Sequence, residues 1–146
     1  MIEIKPYKSV GPIALLATDR EQCERYLGEP EKVWKNHEGV TELHYQEVVV
    51  RLDSTSGFVH EVTLLPNTEF SLIGMPGAWS KDFVRALCAI DEGPLEIHGF
   101  LVMLNLGLAV TGIQDDESAD SAITVFARGA FDDLMEDAVP FDWRRM

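Results

Sequence analysis

The chain has 146 residues, 46% of them hydrophobic and 25% charged, enough apolar surface to bury one core without disulfides or a structural metal. Twenty-five acidic against twelve basic residues leave a formal charge of −13, a negative surface that repels nucleic-acid phosphates and anionic lipid headgroups and attracts cationic partners. One domain over residues 1–146 is expected, with neither nucleic acid nor membrane among its partners.

Met1 to Ser9 is followed by only a short apolar run, Ile13 to Ala17, far below signal-peptide or membrane-span length. Ile13 to Leu16 reads as a short strand. Thr18, with Glu21 three residues later, forms the pattern of a capping box and predicts a helix from Asp19, stopped by Gly28 and Pro30. Cys23, Tyr26 and Leu27 make its apolar stripe. Strands are predicted at Lys32 to Lys35, Val40 to Leu52 and Phe58 to Leu65, the last two joined through the small polar loop Asp53 to Gly57.

The second half repeats this grammar. Phe70 to Ile73 is a strand, Ser80 caps a helix whose face is Phe83, Val84, Leu87 and Cys88, and Gly93-Pro94 ends it. Strands follow at Leu95 to Ile97, Phe100 to Val110 and Ala122 to Ala127. The Leu104, Leu106, Leu108, Val110 row has apolar residues on its other side too, so this strand is either covered on both faces or part of a homodimer interface. A third helix is predicted over Ala130 to Ala138, where Phe131, Leu134, Met135 and Ala138 form a stripe opposite Asp132, Asp133, Glu136 and Asp137.

The fold expected is α+β: one antiparallel sheet from two β-α-β-β-β-like halves, about 1–68 and 69–146, with both capped helices on one face and a third, C-terminal helix. Cys23 and Cys88 sit among apolar neighbours outside any CxxC pattern, which points to buried free thiols in a reducing cytoplasm.

Chemistry-bearing motifs are scarce. No GxSxG, GxGxxG or P-loop occurs, and the four histidines are scattered, so no cofactor and no metal site is expected. The run Asp115-Asp116-Glu117, with Asp120, lacks the glycine and terminal glutamate of a calcium loop and reads as a solvated hairpin loop. His60 is the residue of most interest: alternation from Phe58 and Val62 turns it inward unless a bulge rotates it, and Glu47 or Glu61 could serve it as a carboxylate partner. Trp79 before the second helix and Trp143 in the tail are large aromatics near acids, as a hot spot for a basic protein requires. Trp34 lies in a short strand.

The leading functional expectation is a noncatalytic binding module, using Asp132, Asp133, Glu136, Asp137, Trp79 and Trp143 to hold a basic protein, as an immunity-type neutraliser holds a basic toxin. The alternatives are an oligomeric scaffold, or a small-ligand site or metal-independent hydrolase in a pocket near His60. Enzyme activity ranks last because no catalytic motif is present.

Overall fold

The computed structural model describes residues 1–115 and 120–146. Three short strands open the chain, β1 (Ile2–Lys5), β2 (Ser9–Val10) and β3 (Ile13–Ala14), followed by helix α1 (Arg20–Leu27). The α1 cap is one residue later than the sequence pattern suggests. Asp19 accepts from the Gln22 N–H at 2.9 Å and the Gln22 side chain accepts from the Asp19 N–H at 3.0 Å, while the Thr18 hydroxyl turns back to the Ala14 N–H at 2.8 Å. A carboxylate outcompetes a hydroxyl for the orphan donors, and Thr18 is drawn into the preceding turn. Gly28, at φ 86°, ends the helix in a conformation that side chains rarely adopt.

Four strands follow: β4 (Lys32–Lys35), β5 (Thr41–His44), β6 (Val48–Leu52) and β7 (Val59–Leu64). The run Val40 to Leu52 is therefore not one strand. It folds back at 45–47, where the Tyr45 N–H reaches the Val48 carbonyl at 2.9 Å. Next come β8 (Phe70–Leu72), β9 (Met75–Pro76) and helix α2 (Lys81–Asp91), capped by Ser80 as expected and closed by Glu92 in the left-handed conformation, one residue before Gly93. After α2 the chain again makes four strands, β10 (Leu95–Ile97), β11 (Phe100–Met103), β12 (Leu108–Thr111) and β13 (Ala122–Phe126), then β14 (Val139–Pro140). Phe100 to Val110 is likewise two strands, turned at 104–107.

The strands form two sheets where the sequence suggests one. The large sheet is antiparallel with order β14-β10-β11-β12-β13-β7-β6-β5-β4, so β7 and β13 meet at its centre. The small sheet, β3-β2-β1-β8-β9, holds the parallel pair β1 and β8. Its first strand escapes sequence reading because Ile2 and Ile4 are its only apolar residues.

One face of the large sheet carries Leu43, Val50, Val62, Leu108, Ile123 and Val125, which share a core with Cys23 of α1, Phe83, Val84, Leu87 and Cys88 of α2, and Ile4 and Leu72 of the small sheet. The helices and the small sheet thus lie together on that side. The opposite, outer face holds a smaller cluster of Ile97, Val102, Ala109, Phe126 and Phe131, with Tyr7, Leu104, Met135 and Ala138 against it. The Leu104–Val110 row is consumed by these two cores from within the chain and presents no free face. Segment 130–138 is not an α-helix but 3-10 turns over Asp132–Asp137. With about three residues per turn, Leu134 falls away from Met135 and Ala138 and stands 37% exposed, while Phe131 is buried. Among the described residues no helix is long and apolar enough to cross a membrane.

The turn at 104–107 is fixed from α2. Buried Asp91 accepts the Asn105 N–H at 2.8 Å and the Gly93 N–H at 3.2 Å, and the Asn105 amide donates to the Asp91 carbonyl at 2.7 Å. Gly107 follows at φ 65°, and a Cβ there would lie 3.1 Å from the Tyr7 ring. Replacing Asp91 by Ala removes the acceptor of two backbone donors, on the exposed residues Gly93 and Asn105, so Asp91→Ala is expected to lower stability by about 2 kcal/mol, read as a lower midpoint in urea unfolding with unchanged slope.

Candidate functional site

The outer face is apolar where segment 128–138 covers it and polar where it is bare. On strands β5, β6 and β7 the outward positions are Glu42, His44, Arg51, Glu61 and Thr63 together with one buried apolar residue, Val49, and β13 adds Thr124 across the central seam. Arg51 organises them. Its Nε donates to Glu42 Oε2 at 2.8 Å, its Nη1 donates to the Thr63 hydroxyl at 2.6 Å, and the Thr63 and Thr124 hydroxyls are hydrogen-bonded at 2.8 Å. His44 Nε2 lies 3.1 Å from the other Glu42 oxygen.

Glu61 is treated differently. The nearest basic nitrogens are Arg51 Nη1 at 3.7 Å and His60 Nε2 at 4.0 Å, so no hydrogen bond reaches its carboxylate among the described residues, although its side chain is only 19% exposed. The two glutamates titrate in opposite directions. Burial holds the Glu61 carboxyl above the ordinary carboxylate range, against the pull of His60 and Arg51. Burial also pushes Glu42 upward, but the Arg51 hydrogen bond and charge, with His44, outweigh it and bring Glu42 below that range.

The arrangement depends on a bulge. Arg51 pairs with Glu61 and Leu52 with Val59, leaving His60 as the extra residue of β7. His60 therefore leaves the inward alternation and lies beside Glu61 on the outer face, away from the helices, with Nδ1 buried and without a partner among the described residues. Glu47 precedes β6 at the other end of the hairpin and does not meet His60. It lines a hollow of about 410 Å³ on the α1 side, with Glu29, Glu31, Leu27 and Tyr45.

A cleft of about 250 Å³ opens at the seam, with Arg51, Glu61 and Thr124 at its floor and Phe100, Phe131 and Leu134 as walls. Phe100 and Phe131 meet edge to face at 6.4 Å. Asp132, Asp133 and Glu136, on the turns that supply Leu134, are exposed, whereas Asp137 is paired with His98 at 2.9 Å. The two tryptophans are elsewhere. Trp79 donates its indole N–H to the Thr68 carbonyl at 3.0 Å and packs on Phe70, and Trp143 packs against the main core, so both lie with the helix-side core while the acids lie on the outer face. Asp116 and Glu117 of the acidic run lie outside the described residues. Sequence reading did not single out Glu42, Arg51, Thr63, Thr124 or Phe100. The signal that could have found them is the charged outward row of consecutive strands.

The cleft presents the Glu61 carboxylate as an acceptor. Arg51, Thr63 and Thr124 engage one another, and His60 Nε2 lies 4.0 Å from Glu61 Oε1, beyond hydrogen-bond distance. Cys23 and Cys88 are free but buried, and burial pushes each thiol up to about 11, which leaves a negligible thiolate fraction at neutral pH. Among the described residues no three His, Cys, Asp or Glu side chains are grouped to hold a metal ion. No protein-family model matches the chain, and neither a curated protein nor a solved structure matches it.

The opposed shifts give opposite mutational signs. Glu42→Gln removes an ionised partner of Arg51 and is expected to cost about 2 kcal/mol at neutral pH. Glu61→Gln removes a desolvated charge and is expected to stabilise the fold at neutral pH, the gain vanishing as pH falls through the raised Glu61 pKa and the wild-type carboxyl itself becomes neutral. Glu42, being lowered, contributes stability that is present above its unfolded pKa and lost as pH falls through the folded one. Urea unfolding of both variants across neutral and acid pH reads these signs directly.

Proposed function

We propose that this protein is a noncatalytic binding protein that holds a basic protein partner on its outer sheet face, with one cationic side chain of the partner entering the cleft above Glu61. An immunity-type neutraliser of a basic toxin is one concrete form. The observation that carries the reading is the Glu61 carboxylate, desolvated and lacking a hydrogen-bond donor, at the floor of an apolar-walled cleft. A lysine or arginine would supply the donor and the countercharge, while Phe100, Phe131 and Leu134 would cover its methylene stem and the rings would attract its cationic head.

Size and charge favour a side chain over a free ligand. The cleft, about 250 Å³, falls below the roughly 300–1,000 Å³ of pockets that enclose small-molecule ligands. The exposed carboxylates of Asp132, Asp133 and Glu136 adjoin it, and the whole chain carries −13, so a basic surface would be steered to this face and encounter it faster.

The test separates a seat for a cation from the background of any polyanion. An arginine-rich peptide is titrated by calorimetry against wild type, Glu61→Gln, and Glu69→Gln, which removes the same charge from an exposed position before β8. Glu61→Gln is expected to weaken binding about tenfold or more, with Glu69→Gln close to wild type. Equal effects of the two substitutions would leave only nonspecific attraction. Affinity capture from cell extract with wild type and Glu61→Gln in parallel then identifies a partner as the basic protein that the variant loses.

A further inference from the structure

The far edge of the large sheet is unusual for this chain. Every residue of β4 is exposed, with Val33 at 45% and Trp34 at 51%, and two of the twelve basic residues, Lys32 and Lys35, bracket them. On its inner side β4 pairs with β5 in the register Lys32 to His44, Val33 to Leu43, Trp34 to Glu42 and Lys35 to Thr41. The Asn36 N–H reaches the Val40 carbonyl at 3.0 Å. In an antiparallel ladder these hydrogen-bonded positions alternate, so Trp34 also turns its backbone toward β5, and Val33 and Lys35 turn theirs outward. The alternation ends at Glu31, whose N–H donates to the His44 carbonyl at 2.8 Å, so Glu31 offers a partner strand its side chain and not its N–H.

We propose that β4 pairs antiparallel with β4 of a second copy of this chain about a two-fold axis at Val33. In that register Val33 exchanges both outward backbone bonds with its counterpart, Glu31 of each chain faces Lys35 of the other, and Lys32 of each faces Trp34 of the other. The lysines that would guard an edge against most strands here meet a carboxylate and an indole. The indole already accepts a cation in this way: Lys32 Nζ lies 4.6 Å from the Trp34 ring centre within one chain. The backbone alternation allows only slips of two residues, which set either Lys32 against its own counterpart or Trp34 against its own with Val33 opposite Lys35. Neither forms the Glu31–Lys35 pair, so the charges favour the pairing at Val33. Only about five residues of each chain meet, an interface under about 1,200 Å² and hence a reversible association. The net negative charge of each copy opposes it at low salt and is screened beyond about 8 Å at physiological ionic strength.

Sedimentation equilibrium of the full chain at physiological salt, from micromolar to near-millimolar protein, tests the pairing. Wild type is expected to move reversibly from monomer to dimer. Val33→Pro removes an N–H that β5 does not use, an edge position that tolerates proline. It is expected to keep the wild-type circular dichroism and urea midpoint and to remain monomeric. Lys35→Glu sets two carboxylates against each other and is expected to weaken dimerisation about tenfold, and adding Glu31→Lys is expected to restore it. A wild type that stays monomeric throughout, a dimer that survives in folded Val33→Pro, or a double variant no better than Lys35→Glu would each overturn the proposal.

Discussion

The central pairing of β7 with β13 is the constraint on which the rest depends. Val62 opposite Val125 and Leu64 opposite Ile123 face the helix-side core, and Thr63 opposite Thr124 faces outward, with their hydroxyls bonded across the seam. Side chains alternate with period two, so a slip of β7 by one residue would drive Thr63 and Glu61 into the core and expel Val62 and Leu64. The register is thereby fixed. The same pairing builds the cleft, because Arg51 and Glu61 come from the first half of the chain and Phe100, Thr124, Phe131 and Leu134 from the second.

The bulge at His60 turns that rigid seam into a site. Without the extra residue, β7 would oppose β6 residue for residue as far as Asp53, and His60 would remain in the inward row. With it, His60 and Glu61 share the outer face, and Arg51 donates hydrogen bonds to two oxygens, of Glu42 and Thr63, while Glu61 receives only long contacts. A largely buried carboxylate without a protein donor opposes folding, and replacing such ionic groups is often neutral or stabilising. The opposite pulls on Glu42 and Glu61 show where the tension sits: Glu42 serves the fold through Arg51, and Glu61 is the group left over. Such local conflicts with stability concentrate at positions used for something else.

What the sequence disclosed, and what it withheld, follows the range of the interactions. Both α-helices were legible because their caps and stops are contained within a few residues: Ser80 before Phe83, and Gly28 after Leu27. The strand hairpin at Asp53 to Gly57 was legible through its small polar residues. The turns at 45–47 and 104–107 were not, because the first has no glycine or proline, and the second is held by Asp91, fourteen residues away. The segment Ala130 to Ala138 showed a helical stripe, but only Phe131, Met135 and Ala138 find a surface to pack on, and the turn tightens to 3-10. The acids of that segment were legible as a wet face. The floor of the cleft was not, since Glu61 and Thr124 are brought together only by the seam and by a bulge that no local pattern announces.

Strand order also sets how the two proposed surfaces relate. The cleft lies over β11, β13, β7 and β6, and the free edge is β4, two strands beyond β6, so pairing through β4 leaves the cleft open. It would place the two β7 strands seven strand spacings apart, roughly 30–35 Å at about 4.8 Å each, in one continuous sheet. Both clefts would then lie on the same side only if the outer faces are continuous, and the antiparallel register provides this: Lys32 and Trp34 share the outer face with Glu42 and His44, and each pairs with the other across the two-fold. Two acidic seats at fixed spacing raise the effective concentration of the second contact once the first is made. A weak edge pairing is then sufficient, because a basic partner that spans both clefts would bind the dimer more tightly than the monomer and by linkage would stabilise the pairing of the edges.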